Sequence, residues 1–355
     1  MDLRQADLQL AAARHLRWMP ALVQITPTEI VIDGWALSVW ENPDQMRFLI
    51  NGVDFDEVTW MPSVDLRGHF SAVPNIARAR FRCRHRMKPG WEAFPGGFAR
   101  FNVTSHYGEH RRSYRTAWFI ADPALETQMP LPAQISRINT TDDTMVFRLG
   151  GATIVNRVEQ LLQDRFERSL GSFEAILDWG CGAGRVTRYL TRFSTAVTGI
   201  DIDPDNIVGC QQALPMARFH QVATVPPTQL PDAAFDLVLG MSVLTHLKET
   251  AQFEWLAELQ RITRPGALLL LSVQGLAQSA LYQTPVEMVL ATHAQGFYYV
   301  GHNSQLADVI AEPEYYSNVI QSPDYIQTRW GEYFDVLEIV EAIAGNQDLV
   351  ILRRR

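Results

Sequence analysis

The residues best spaced for chemistry lie in one run, Ile176-Leu177-Asp178-Trp179-Gly180-Cys181-Gly182-Ala183-Gly184-Arg185, where an acid precedes glycines at every second position. An apolar strand running into such a loop lets its backbone lie flat against a ligand, because no Cβ intervenes. A helix starting near Arg185 turns unpaired N–H groups toward the same space. A second apolar run, Ala196 to Ile200, ends in Asp201. An acid at the tip of the second strand of such a unit accepts both hydroxyls of a ribose. Further along, Phe235–Val243 leads into Leu244-Thr245-His246-Leu247, and an imidazole is suited to removing a hydroxyl proton at neutral pH. The first two segments read as a nucleoside site.

Which nucleoside follows from the loop. A dinucleotide fingerprint counted from Gly180 needs glycine at position 185, which holds Arg185. An acid just before the glycines is a poor neighbour for a pyrophosphate and a good partner for an ammonium group. The residues resemble motif I of the class I S-adenosylmethionine-dependent methyltransferases, D-x-G-x-G-x-G, followed by that family's ribose-binding acid. The resemblance covers about 150–355, densely at 174–203 and 235–246. It implies S-adenosyl-L-methionine as cofactor, with Asp178 holding its amino group and the backbone at Gly180, Gly182 and Gly184 meeting the methionine moiety. Asp201 would take the ribose hydroxyls, Ile202 would pack on adenine, and Met241 and Ser242 would line the cofactor. His246 would lie near the acceptor, as base for O-methyl transfer, with catalysis resting on in-line alignment and one deprotonation. Plainer readings remain: Asp178 in a capped turn, Asp201 as the N-cap of the helix announced by Pro204, and His246 capping the helix after it. The sequence departs from the family after strand three, where Gln221–Thr228 has no acid before Asp232 to bind the adenine amino group. Backbone groups at Ala223 or Thr224 are the expected substitutes.

Composition bounds the rest. With 355 residues, 47% hydrophobic and 20% charged, the chain has room for two domains with separate cores. A net charge of −8 is no match for nucleic acid. No run reaches the ~18 apolar residues that span a bilayer, and the amino terminus leads to no signal-peptide core. The three cysteines, Cys83, Cys181 and Cys210, are odd in number and lack metal-ligand spacing, so a reducing cytoplasmic setting is expected. The glycosylation triplets at Asn102 and Asn139 then carry no meaning. No cluster of acids and histidines suggests a metal.

The elements that must position these residues fall into two domains. Residues 1–27 read as an N-terminal helical segment, with a helix over 1–20 stopped by Pro20. Residues 28–121 read as a small all-β sandwich, with strands at 29–40, 46–50 and 53–55, an Asn51-Gly52 hairpin turn, and later strands at 77–87, 97–105 and 113–121. A linker occupies 122–148. From 149 to 355 a helix over 153–168 is followed by alternating strands and helices: 175–179, 184–193, 196–201, 204–213, 217–222, 235–242, 249–263 and 267–273. That order implies a mainly parallel sheet. The segments 334–340 and 348–352 are too close for a crossover helix and must form a hairpin. The fold class expected is therefore α/β, a seven-stranded Rossmann-like methyltransferase domain preceded by the sandwich.

Two regions bear on the substrate. The aromatic- and amide-rich segment 277–333 is expected to cover it, with His302 and Tyr316 as substrate-binding candidates; the same rings also suit packing onto the sheet. Arg78, Arg80, Arg82, Arg84 and Arg86 occupy alternate positions and would share one strand face, suited to a phosphate-bearing or carrier-linked acceptor. Neutralisation by acids such as Asp54, Asp56 and Glu57, or a charged strand edge, accounts for them equally. The Asp33-Gly34-Trp35-Ala36-Leu37 opening weakly resembles β-sandwich modules of bacterial surface-glycan enzymes, implying a saccharide acceptor. The expected function is methyl transfer to a hydroxyl of a glycan or small-molecule natural product. N-methylation of a small amine, and non-catalytic binding of a glycan or anionic partner by a vestigial methyltransferase domain, are the alternatives.

Overall fold

The computed structural model describes residues 7, 18–38, 46–105, 117–138, 141–275, 278–279, 282, 284–306, 309–310, 315–344 and 346–355. The chain forms two compact units, one of Met1–Glu126, Arg148–Arg157 and Leu276–Val286, the other of Thr127–Phe147, Val158–Gly275 and Glu287–Arg355.

In the first unit the described strands are β1 (Trp18–Ile25), β2 (Glu29–Ala36), β3 (Met46–Ile50), β4 (Val53–Asp54), β5 (Glu57–Met61), β6 (Arg80–Arg86), β7 (Phe98–Ser105) and β8 (Trp118–Ala121). They make two four-stranded sheets in the orders β1-β2-β6-β5 and β4-β3-β7-β8, antiparallel throughout. Strand alternation buries Phe81, Cys83 and His85 of β6 and turns its arginines outward. Phe81 meets Phe48 of the other sheet with centroids 4.4 Å apart, and Trp18 meets Phe48 at 5.7 Å, so rings from both sheets form one core. Asn51 and Gly52 have φ of 47° and 87°, the two positive values that a tight I′ hairpin turn requires.

Three expectations for this region need correction. Most of the helix expected over 1–20 lies outside the described residues, but its end is a strand: Pro20 sits within β1, beside a register shift. There, on the edge of the sheet, a missing N–H costs no ladder bond. Arg78 ends a 3-10 turn, Pro74–Arg78, so it does not belong to the arginine row. The remaining four arginines already have counter-charges. Arg80 pairs with Asp65, Arg82 with Asp33, Arg84 with Glu29 and Glu57, and Arg86 with Glu57. The row is a neutralised ladder across neighbouring strands, which leaves Arg78, Arg80, Arg82, Arg84 and Arg86 without the shared cationic face that an anionic acceptor needs.

The second unit begins within the expected linker, with helix α1 (Pro132–Ser136) and the two ends of helix α2 (Thr144–Phe166), which is capped by Asp143 and whose residues Arg148–Arg157 belong to the first unit. Then come β9 (Ile176–Trp179), α3 (Thr187–Leu190), β10 (Val197–Asp201), α4 (Pro204–Ala213), β11 (Arg218–Gln221), β12 (Phe235–Gly240), α5 (Glu249–Ile262) and β13 (Thr263–Val273). After α6 (Val286–Gln295), β14 (Phe297–His302) and β15 (Ser317–Gln321) form a separate antiparallel hairpin. Helix α7 (Pro323–Arg329) leads to β16 (Asp335–Ala344) and β17 (Gln347–Arg353). Among the described residues the large sheet has the order β11-β10-β9-β12-β13-β17-β16. It is parallel from β11 to β13, and β17 enters antiparallel to β13 and β16. The chain winds from β9 toward β11, then returns to β12 on β9's other side. The crevice for a ligand therefore opens beyond the carboxyl ends of β9, β10 and β12.

Close backbone approach explains one glycine that the sequence left unassigned. A Cβ on Gly34 would collide with the Met19 carbonyl oxygen of β1, whereas a Cβ on Gly68 would meet nothing within 4 Å. Gly34→Ala is expected to destabilise the protein by about 1–3 kcal/mol, with Gly68→Ala neutral. Paired denaturant midpoints check this, and equal midpoints would contradict the packing argument.

Candidate functional site

The crevice is built first from the turn after β9. Gly180, Gly182 and Gly184 have φ of 71°, 53° and 76°, a backbone region that costs other residues strain. A Cβ at Gly180 would also strike Val243, and one at Gly182 would come within 2.8 Å of Ile138. The loop is hooked to the next strand by Gly180 N and Cys181 N, which donate to the Ile200 carbonyl at 2.8 and 3.0 Å.

Two carboxylates face this space. Asp178 is buried on β9 and accepts a 2.5 Å hydrogen bond from Thr187 Oγ1. Burial pushes its carboxyl up to about 6, against the Thr187 bond and the Arg185 charge, which favour ionisation. Asp201 ends β10 and accepts Gly182 N at 2.8 Å and Asp203 N at 2.9 Å. Burial raises it to about 6 as well, with those backbone N–H groups opposing the rise. The helix cap that sequence offered as Asp201's plainer role belongs to Asp203. That residue accepts Asp205 N and Asn206 N of α4 and receives Arg137 Nη1 at 2.8 Å.

The rest of the lining is mostly apolar. Ile202, Val222 and Met241 lie at the ends of three strands, and Trp255 of α5 closes one wall. Ser242 has φ of 63°, held by Ser272 Oγ, which accepts its N–H at 2.7 Å, and by Gln347, which accepts its hydroxyl at 3.1 Å. His246 also lines the crevice, half-buried and stacked on Tyr316 with centroids 4.6 Å apart. Burial pushes its imidazole down to about 4, so the ring is neutral through the physiological range.

The structure thus brings together Asp178, Gly180, Gly182, Asp201, Ile202, Met241, Ser242, His246 and Tyr316 around one space. Gly184 stands behind it, packed against Leu214 and Cys210. His302 is exposed at the end of β14 and does not line the crevice. The Thr224 carbonyl is occupied, accepting from Tyr315 OH and from Trp255 Nε1 at 3.1 Å, and Asp232 pairs with Arg261. Ala223, Thr224 and Asp232 do not line the space, and Val222 is the residue of that region that does. Sequence reasoning missed Arg137 and Trp255, while Tyr315 lies in the aromatic segment expected to cover the substrate. Helical periodicity marks Trp255 only as core, and Arg137 lies in a segment read as linker. Among the described residues no group of three or more His, Cys, Asp or Glu could hold a metal ion, and no helix is long and apolar enough to cross a membrane.

An ammonium beside Asp178 and hydroxyl donors beside Asp201 would restore both carboxylates to the ionised form, and the apolar walls suit a purine. The donor set therefore fits an adenosyl amino acid. Comparison with known proteins agrees in the same stretch.

Residues 177–271 match a methyltransferase domain. A probable S-adenosylmethionine-dependent methyltransferase of Mycolicibacterium smegmatis is 29% identical over 153 residues, which are 42% of this chain and 54% of that protein. A ubiquinone biosynthesis O-methyltransferase of Methylocella silvestris is 34% identical over 116 residues, covering 32% of this chain and 44% of that protein. The chain thus spans about half the length of the curated relatives it matches. Among solved structures, the N-methyltransferase NodS of Bradyrhizobium japonicum with S-adenosyl-L-homocysteine aligns over 56% of this chain and 86% of its own. Its identity is 17% and its TM-score 0.37. The methyltransferase domain holds both carboxylates, the glycine loop and His246.

Carboxylates raised to about 6 from 3.8 by burial favour the folded state most below pH 4, and that contribution fades as pH rises through 6. A ligand ammonium reverses this by favouring the anions. S-adenosylhomocysteine is therefore expected to bind at full strength above pH 7 and to weaken by roughly tenfold per pH unit per carboxylate below about 6. Asp178→Asn should flatten part of that slope. Calorimetric titration between pH 5 and 8 checks this; affinity that rises on acidification would contradict the assignment.

Proposed function

We propose that this chain is a class I S-adenosyl-L-methionine-dependent methyltransferase that methylates a hydroxyl of a glycan or small-molecule natural product. The observation that carries the proposal is the pair of carboxylates, buried Asp178 and half-buried Asp201, at the ends of adjacent parallel strands around a glycine loop, with His246 lining the same crevice. Bound there, the cofactor supplies an electrophilic methyl on a sulfonium. The chain's own tasks are to bind, align and take one proton. Asp178 holds the ammonium, Asp201 the ribose diol, Ile202 and Val222 the purine, and the loop backbone approaches the amino-acid portion closely. His246, neutral and half-buried, receives the acceptor proton. Beside it stands the Tyr316 ring, which also lines the crevice, a surface suited to a sugar or an aromatic alcohol. The names of the curated relatives include O-methyltransferases, which supports oxygen as the acceptor atom. The sandwich unit, by its weak resemblance to modules of surface-glycan enzymes, is assigned to acceptor selection. All three cysteines are free and buried, in keeping with a reducing, cytoplasmic setting.

The test pairs binding with transfer. S-adenosylhomocysteine should bind with micromolar affinity, about −8 kcal/mol, and Asp201→Ala should abolish it. With saccharide and phenolic acceptors and labelled cofactor, His246→Ala should slow transfer by roughly 10²–10⁴-fold while leaving S-adenosylhomocysteine binding intact. A folded wild type that binds no S-adenosylhomocysteine would sink the proposal.

A further inference from the structure

The segment after β11 is fixed at its start, where Val222 N donates to the Asp201 carbonyl at 2.9 Å. Two residues further on, the Thr224 carbonyl meets two rings that both line the crevice, Trp255 of α5 and Tyr315. Trp255 Nε1 donates to the Thr224 oxygen at 3.1 Å and lies 3.2 Å from the Tyr315 hydroxyl oxygen. Tyr315 in turn donates its hydroxyl proton to the same carbonyl. Both rings are buried, and Trp255 packs on Trp179 with centroids 5.1 Å apart.

Donors and acceptors are unevenly matched at this corner. An indole has one N–H and no acceptor, a phenol has one O–H and lone pairs, and a carbonyl has lone pairs only. The indole proton is shared between Thr224 and Tyr315, and the phenol proton goes to Thr224. Burial pushes the Tyr315 hydroxyl up to about 12, so that proton stays in place at neutral pH. Every donor is thus engaged, and the Thr224 oxygen accepts from both rings. What remains is acceptor capacity on the Tyr315 oxygen. The corner can receive a hydrogen bond from a ligand and has none to give.

Val222, which lines the crevice with Ile202, is bonded to Asp201 on one side and is two residues from Thr224 on the other. A purine held by Ile202 and Val222, with its ribose at Asp201, therefore has this corner as its neighbour. We propose that the Tyr315 hydroxyl oxygen accepts a hydrogen bond from the exocyclic amino group of the cofactor's purine, and so selects a 6-amino over a 6-oxo purine. This deepens the methyl-transfer reading and rests on it for the placement of the cofactor. A 6-oxo purine would set oxygen against oxygen with no proton between them, and buried acceptors left unpaired are costly. The recognition that the resemblance gives to an acid after strand three comes here from a phenol 91 residues beyond Thr224.

The test is calorimetric titration of the full-length protein at pH 7 with S-adenosylhomocysteine and with its 6-oxo analogue, S-inosylhomocysteine. The oxo analogue should bind roughly 10- to 100-fold more weakly, the cost of leaving a buried polar group unpaired. Tyr315→Phe, which keeps the ring, should weaken S-adenosylhomocysteine by roughly fivefold and strengthen the oxo analogue, so that the ratio collapses toward one. A hydroxyl that merely braces the wall would cost both ligands alike and leave the ratio intact. If circular dichroism shows Tyr315→Phe unfolded, 3-fluorotyrosine placed at position 315 keeps the hydroxyl. Its ¹⁹F signal should then move more with the amino ligand than with the oxo one. Equal wild-type affinities for the two ligands, a ratio unmoved in folded Tyr315→Phe, or equal fluorine shifts overturn the proposal. Failure of both ligands to bind the folded wild type would strike the methyltransferase reading and this proposal with it, whereas binding without selection strikes this proposal alone.

Discussion

Asp201 accepts one backbone N–H from the glycine loop and another from the turn into α4, at 2.8 and 2.9 Å. One carboxylate thus ties the exit of β9 to the exit of β10, at the point where the winding of the sheet reverses. Other features follow from that clamp. The loop must pass close to β10, which demands positive φ at its glycines, and the turn must present Asp203 as the cap of α4. Arg137 is drawn in by the buried Asp203 carboxylate. A half-buried anion supported only by neutral N–H groups is costly, and its rise to about 6 expresses that cost. A site held this way is preorganised for donors and cations.

The opposite wall obeys a different constraint. The segment after β12 carries backbone groups that no helix or sheet satisfies, and β15 supplies them with partners through Ser317 and Val319. Pairing fixes register, and register decides which side chains turn inward. Tyr316 stacks on His246, while His302, paired with Ser317 in the hairpin, faces solvent. Ser242 joins the two walls. Its unusual backbone conformation is stabilised through Ser272 and Gln347, so the β16–β17 hairpin helps shape the floor of the crevice.

Much of this was legible in the residue order. The helix read over 204–213 has those bounds in the structure, because Asp203 and Pro204 form a start signal that acts within one turn. The Asn51-Gly52 turn and the hairpin near the carboxyl end were equally local. The arginine row shows where such reading stops. Its period was visible, but Arg78 belongs to a preceding turn, and the acids that neutralise the row come from strands far away in sequence. Pro20 misled for a related reason, since it stops a helix and is also tolerated on an edge strand. Only sheet pairing separates those two outcomes.

Taken alone, the sequence determined the glycine loop, the two acids that flank it and the alternation that builds a parallel sheet around them. These features depend on interactions within a strand, a turn or one βα unit. Tertiary structure decided what closes the site: Trp255 from α5, Tyr316 rather than His302, and Asn303 beside His246. His246 and Asn303 are 57 residues apart, and their meeting depends on the register of a hairpin against a distant loop. That register is selected by packing over the whole unit, and no short stretch of residues contains it.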